Sequence, residues 1–260
     1  MGKSKVNLYA IPKATSIDLW INSSLKLLGL EGMRSSWEKI AEQVIKDKLT
    51  PVDFLESLLE IELGYKEDGR LIRWKQKAHF PFVRSLKDFD FSYQPSIDQR
   101  QINMLATCRF IDNRENIVFF GPPGVGKTHL AIGMALEAIK LGKEVLFYYM
   151  KDLIEVIEKT SDGMAMRRLF ASLMRANLLI LDEMDFYEAN SLVSTFLFKL
   201  LHQRYEKGST IFTSNKAFNE WGKLFGNHSR AGAIIDRITH HCTIININGE
   251  SYRLKKNITS

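Results

Sequence analysis

Cysteine is scarce in this sequence: there are two in 260 residues, Cys108 and Cys242, far apart and with no CxxC pair. That excludes a disulfide framework and reads as two reduced thiols in a cytosolic chain. Long apolar runs are missing too, so no segment is suited to cross a bilayer and no membrane partner is expected. The amino terminus, MGKSKVNLYA, lacks the apolar core of a signal peptide, and Val6 stands where a myristoylation signal carries Ser or Thr. There is no internal repeat and no low-complexity tract. What remains is a soluble, cytoplasmic type of chain of 29.9 kDa, long enough for a real core plus a smaller appended domain.

Acidic residues are sparse in one place. The net charge is +6, and between Lys66 and Lys87 only Glu67 and Asp68 oppose Lys66, Arg70, Arg73, Lys75, Lys77, Arg84 and Lys87. Such a local excess attracts polyanions. It reads equally as a basic solvated face beside a core tryptophan, Trp74.

Residues 1–79 read as a small helical domain. Apolar spacing at Leu19, Leu25, Leu28 and Met33 predicts helices that Gly29 and Gly32 break or separate. Thr50, Pro51 and Asp53 form a helix start, followed by the stripe Phe54, Leu55, Leu58, Leu59 and Leu63. Residues 80–96, FPFVRSLKDFDFSYQPS, form an aromatic connector whose Phe80, Phe82, Phe89, Phe91 and Tyr93 require burial. From 97 to 260 the pattern alternates: helix 97–110, a strand into Gly121, helix 127–141, strand 144–150, helical span 151–176, strand 178–182, helix 190–207, strand 209–215 and a mixed segment 216–238. CTIININGESYRL then carries Asn248-Gly249, a hairpin signal. Alternating strands and helices predict an α/β domain whose parallel sheet is covered on both faces.

GPPGVGKT is a full phosphate-loop pattern, placed as it must be between a strand and a helix. Its glycines let backbone N–H groups cradle phosphates, Lys127 reaches the β- and γ-phosphates, and Thr128 offers a hydroxyl to Mg²⁺. The nucleotide-binding set is Gly121, Pro122, Pro123, Gly124, Val125, Gly126, Lys127, Thr128 and His129. In LLILDE, Asp182 ends an apolar strand where a phosphate-bound magnesium sits, and Glu183 orients or deprotonates a water. Thr128 and Asp182 are therefore the metal candidates. Adjacent acids argue hydrolysis; a nucleoside kinase needs a place for its acceptor hydroxyl. Asn215, after the next strand, either holds the attacking water, senses the γ-phosphate, or simply forms a turn. Arg237 reads as a surface ion-pair partner or as a residue facing a neighbouring subunit's nucleotide. His240, His241 and Cys242 do not make a zinc set, because about four convergent ligands are needed and adjacent strand residues diverge.

These motifs, together with LWINSSLKLLGLEGM at 19–33, the FDFSYQP connector, LLHQRYEKGSTIFTSN at 200–215, EWGKLFG at 220–226 and AIIDRITHHCTIININGESYRL at 233–254, closely resemble one family. It is the IstB family, ATP-binding transposition helpers encoded beside the transposase in bacterial insertion sequences. That family is related to DnaC-type helicase loaders and to the initiator DnaA, all of the AAA+ group. The resemblance implies a P-loop NTPase of the AAA+ type without a separate C-terminal lid. It implies an ATPase using ATP and Mg²⁺ that forms a head-to-tail ring or filament on double-stranded DNA and serves a cognate transposase; a helicase loader is the same-fold alternative. It implies catalytic roles for Lys127, Asp182, Glu183 and Asn215, an arginine finger at Arg237, and a second sensor at Arg253. The DNA-binding expectation falls on Lys66, Arg70, Arg73, Lys75 and Lys77. One departure stands out: where relatives have a glycine-containing turn after the acid pair, often followed by proline, this chain reads MDFYEANS, 184–191.

Overall fold

A computed structural model describes residues 17–184, 189–225 and 228–252. The chain divides into two compact units, Met1–Ile72 and Arg73–Ser260. In the first, α1 (Ile17–Leu27) and α2 (Glu31–Asp47) are separated at Gly29, whose φ of 69° is left-handed. Gly32 does not break a helix, contrary to expectation. It lies inside α2, where an added Cβ would sit 2.9 Å from Tyr65 Cβ, so glycine there permits close packing on α3 (Pro51–Lys77). Buried Glu62 accepts a hydrogen bond from Met33 N at 2.9 Å, satisfying a donor in the first turn of α2 that the helix itself leaves open. The expected start of α3 is present: Asp53 Oδ2 accepts from Thr50 N at 2.7 Å, and Thr50 Oγ1 accepts from Asp53 N at 3.3 Å.

The second unit is built on five parallel strands, β1 (Asn116–Phe120), β2 (Val145–Tyr149), β3 (Leu178–Asp182), β4 (Ser209–Ser214) and β5 (Cys242–Asn246), in the order β2-β3-β4-β1-β5. The expected long helix 97–110 is two short ones, α4 (Gln99–Leu105) and α5 (Arg109–Asp112), parted at Cys108 in a left-handed conformation. α6 (Lys127–Lys140) packs on β2, β3 and β4. The span 151–176 is also divided, into α7 (Met150–Lys159) and α8 (Gly163–Arg175), because Asp162 caps the second helix by accepting from Met164 N and Ala165 N. α9 (Ser191–Arg204) and α10 (His228–His240) follow, and two 3₁₀ segments lie at Leu86–Asp88 and Phe218–Phe225. Side chains alternate across the sheet. Val118, Leu179, Leu181 and Phe212 join one core with α7, α9 and α10, leaving the alternate residues Ile117, Ile180 and Ile211 for the α6 side. Buried Arg204 ties this layer together, donating to Leu173 O and Ala176 O near the end of α8 and to Ser209 O in β4. Both cysteines are free, and burial pushes each thiol up to about 12.

The hairpin expected at Asn248-Gly249 does not form among the described residues. β5 pairs in parallel with β1, and the turn instead carries the chain over the connector. Asn248 N donates to Ser96 Oγ at 3.0 Å, Gln94 Nε2 donates to Glu250 O at 2.9 Å, and an added Cβ on Gly249 would lie 2.1 Å from Gln94 Oε1. The connector aromatics are only half-buried; its one buried residue is Gln94. Leu86 of the connector sits directly on Gly133 of α6, with Cδ2 2.6 Å from where a Cβ would be.

Two glycine substitutions separate propensity from packing. Alanine in a helix interior is favoured over glycine by about 1 kcal/mol. Gly232→Ala in α10, where nothing lies within 4 Å, should raise thermal stability by roughly that amount. Gly133→Ala should lower it by a net ~1–2 kcal/mol, because overpacking against Leu86 exceeds the propensity gain. Thermal melts of the two variants check both signs.

Candidate nucleotide site

The loop begins where β1 ends. Gly121 N still donates to Ser214 O of β4 at 3.3 Å, and the chain turns through residues 121–126 into the amino terminus of α6. The first N–H groups of a helix, which the helix itself leaves unbonded, and the helix dipole favour an anion there. The glycines have a second job that the motif alone did not reveal. Added Cβ atoms would fall 2.3 Å from Ile247 O at Gly121, 2.1 Å from Ser251 Oγ at Gly124, and 2.5 Å from the Phe89 ring at Gly126. The loop is thus held from outside by the connector and by the segment after β5, with Tyr252 N donating to Gly124 O at 3.0 Å. Gly124 and Gly126 also have φ of 82° and 100°, which disfavours any side chain on conformational grounds as well.

Lys127 is 7% exposed. Its ammonium donates to Gly121 O at 2.7 Å, Pro122 O at 2.8 Å and Asn215 Oδ1 at 2.6 Å. Thr128 Oγ1 lies 3.0 Å from both carboxylate oxygens of Asp182. Hydroxyl and carboxylate oxygens side by side at the mouth of a phosphate cradle are the hard donor set Mg²⁺ takes, so the residues fit a magnesium–nucleotide. Asp182 is fully buried. Burial is the main cause that pushes its carboxyl up to about 6; neighbouring Glu183 adds to this, while hydrogen bonds from Thr213 and Thr128 and the charge of Lys127 oppose it. Glu183 follows with an exposed side chain and a φ of 58°, left-handed for a residue that is not glycine. Strain of this kind clusters at functional sites.

The structure therefore brings Lys127, Thr128, Asp182 and Asn215 together, with Glu183 beside them. His129 turns its ring to the connector: Nε2 lies 2.8 Å from Ser85 O and the ring meets Phe89 edge-on. Arg237 is not part of this cluster. It lines a small pocket with Asn116, Gly208 and Thr210, at the amino ends of β1 and β4, while the loop leaves the carboxyl end of β1. The length of β1 alone separates them by about 13 Å. Arg253 and residues 185–188 of the MDFYEANS turn lie outside the described residues. Arg70, Arg73, Lys75 and Lys77 are exposed on α3, and Lys66 pairs with Glu62 at 3.5 Å. Three contributors were missed from sequence: Thr213, Phe89 and Ser251. None had a local signal: β4 reads STIFTS, with a hydroxyl at four of its six positions, so nothing in the strand singles out Thr213, and the other two touch the loop only through the tertiary fold.

A parallel sheet in this order, with a phosphate loop after β1, an acid pair at β3 and an asparagine after β4, is a P-loop NTPase domain of the AAA+ type. The family model for IstB-like ATP binding proteins matches residues 23–260, and the chain belongs to that family of ATP-binding proteins. A relative from Pseudomonas aeruginosa, named for insertion sequence IS21 and ATP binding, is 42% identical over 89% of this chain and 88% of its own. A second, from Geobacillus stearothermophilus and named for IS5376, is 37% identical over 88% of this chain and 91% of its own. Among solved structures, DnaI matches with a TM-score of 0.53 at 22% identity, over 64% of this chain and 89% of that one. A DNA replication initiation factor matches at 0.55 and 17% identity, over 68% of this chain and 54% of that one. Among the described residues no helix is long and apolar enough to cross a membrane.

The buried carboxylate gives a signed prediction. Its folded-state pKa is about 6 against an ordinary 3.8, so the native state holds the proton more tightly than the unfolded chain. Ionised Asp182 therefore costs stability fully above pH 6, and the cost disappears as pH falls below about 4. Asp182→Asn should raise the nucleotide-free melting stability at pH 7 by about 1–2 kcal/mol, with the advantage lost near pH 4, while Mg²⁺-dependent ATP binding falls. Melts at the two pH values, with ATP binding measured in parallel, check it.

Proposed function

We propose that the protein is a Mg²⁺-dependent ATPase that assembles head to tail on double-stranded DNA and recruits or stimulates a cognate transposase. The observation that carries the ATPase reading is the convergence of Lys127, Thr128, Asp182 and Asn215 around the phosphate loop, with Glu183 one residue beyond. In this reading Lys127 and the loop amides hold the β- and γ-phosphates. Thr128 and Asp182 would hold Mg²⁺, which when bound would neutralise charge on the phosphate oxygens. Glu183 takes a proton from the attacking water, and Asn215 orients that water or contacts the γ-phosphate.

Arg237 supports assembly. Its distance from the loop in its own chain makes it useless there, and available to a neighbouring subunit's nucleotide. A contact between opposite faces of identical chains is heterologous and builds rings or filaments. The transposition role is favoured over helicase loading because the curated relatives are named for insertion sequences. For DNA, the helical register of α3 supports Lys66, Arg70, Arg73 and Lys77, spaced four, three and four residues apart and so on one stripe; Lys75 falls on the opposite side.

Glu183→Gln should bind ATP normally and hydrolyse it at least ~100-fold more slowly, since the amide keeps the shape and loses the base. Phosphate release alongside nucleotide titration tests this, and near-normal turnover would remove Glu183 from the mechanism. Replacing Arg70, Arg73 and Lys77 with alanine should weaken DNA binding with little dependence on sequence. The plot of log affinity against log salt should flatten by up to ~0.9 for each DNA phosphate that is no longer neutralised. An unchanged slope places the DNA elsewhere on the molecule.

A further inference from the structure

Thr213 is buried completely in β4, and its one hydroxyl makes two contacts with opposite roles. It donates to Asp182 Oδ1. It accepts from Glu183 N at 3.0 Å. Its own carbonyl accepts from Met184 N at 2.9 Å. A single residue thus grips three consecutive residues: the side chain of the first and the backbone of the next two. The middle one is Glu183, at φ 58°. A non-glycine residue keeps that conformation only when its surroundings over-determine it, and two of the bonds that do so here end on Thr213.

We propose that Thr213 is the positioning residue of this site. Its hydroxyl fixes the rotation of the Asp182 carboxylate toward Thr128, and it locks the Glu183 backbone in the left-handed turn that aims the glutamate at the attacking water. The hydroxyl has one proton, given to Asp182, and a lone pair that receives the Glu183 N–H, so the two acids are set by one group. Without it, the carboxylate keeps only Thr128 as a hydroxyl anchor and the turn keeps only the Met184 N to Thr213 O bond, so the left-handed turn relaxes and Glu183 swings off line. This rests on the ATPase reading above.

The test compares Thr213→Val, isosteric but without the hydroxyl, with Thr213→Ser, which keeps it. Wild type and Glu183→Gln are measured beside them on DNA. Thr213→Val should bind ATP in EDTA with wild-type affinity, lose about 10- to 100-fold in kcat, and need several-fold more Mg²⁺ for half-maximal rate. Thr213→Ser should recover most of the rate and the wild-type Mg²⁺ requirement. Should valine prevent folding, the Thr213→Ala and Thr213→Ser pair makes the same contrast. Wild-type kcat and Mg²⁺ requirement in the hydroxyl-free variant, with Glu183→Gln inactive, overturn the proposal and leave the ATPase reading standing. Failure of the wild type to hydrolyse ATP that it binds overturns both.

Discussion

Three α-carbons of the phosphate loop are pressed so closely by other segments that no side chain fits on them, and the rest of the site depends on that packing. Gly121 meets the Ile247 carbonyl, Gly124 meets Ser251, and Gly126 meets the Phe89 ring. The contacts continue outward. Phe89 packs on Phe91 and on His129, and Tyr93 packs on Tyr252. Connector, loop and post-β5 segment therefore form one layer at the carboxyl end of β1. A loop held from behind presents its N–H groups in a fixed geometry, which limits the reorganisation needed when phosphates are bound. The same packing means that any movement of the loop is felt by the connector.

Inside that frame, charge is arranged at a cost to stability. Lys127 and Asp182 are both buried, and both would be less costly as neutral groups. Part of the cost is offset by the lysine's three bonds to Gly121 O, Pro122 O and Asn215, and by the hydroxyls of Thr128 and Thr213 on the aspartate. The left-handed Glu183 adds backbone strain of about 1–2 kcal/mol. A domain selected for stability alone would not keep these features; they cluster at its nucleotide site.

Much of this was legible in the sequence, because the signals were local or periodic. The phosphate loop, the apolar strand ending in Asp182-Glu183, and the capping box at Thr50 and Asp53 each depend on neighbours a few residues away. The parallel sheet followed from strands alternating with helices. What failed did so where a distant segment decided the outcome. Asn248-Gly249 has hairpin chemistry, but β1 already pairs with β5, and Gln94 receives the turn. Gly32 has the composition of a break, but α3 presses Tyr65 against it inside a helix. Connector aromatics suggested burial, yet the buried polar residue there is Gln94, fixed by the carbonyl of Glu250. Thr213 reads as an ordinary strand threonine until β3 is laid beside it.

In the proposed assembly, one subunit's nucleotide is completed by its neighbour. The cluster around Lys127 and the position of Arg237 lie at opposite ends of β1, so within one chain Arg237 does not complete the site, and the proposed head-to-tail contact would bring a neighbour's copy to it. The most direct measurement mixes Lys127→Ala protein with Arg237→Ala protein on DNA and follows phosphate release. Neither variant alone forms an interface with both residues intact, whereas mixed neighbours do, so the mixture should exceed the sum of the two single variants. Co-assembly on DNA with release no greater than that sum would contradict completion by the neighbour.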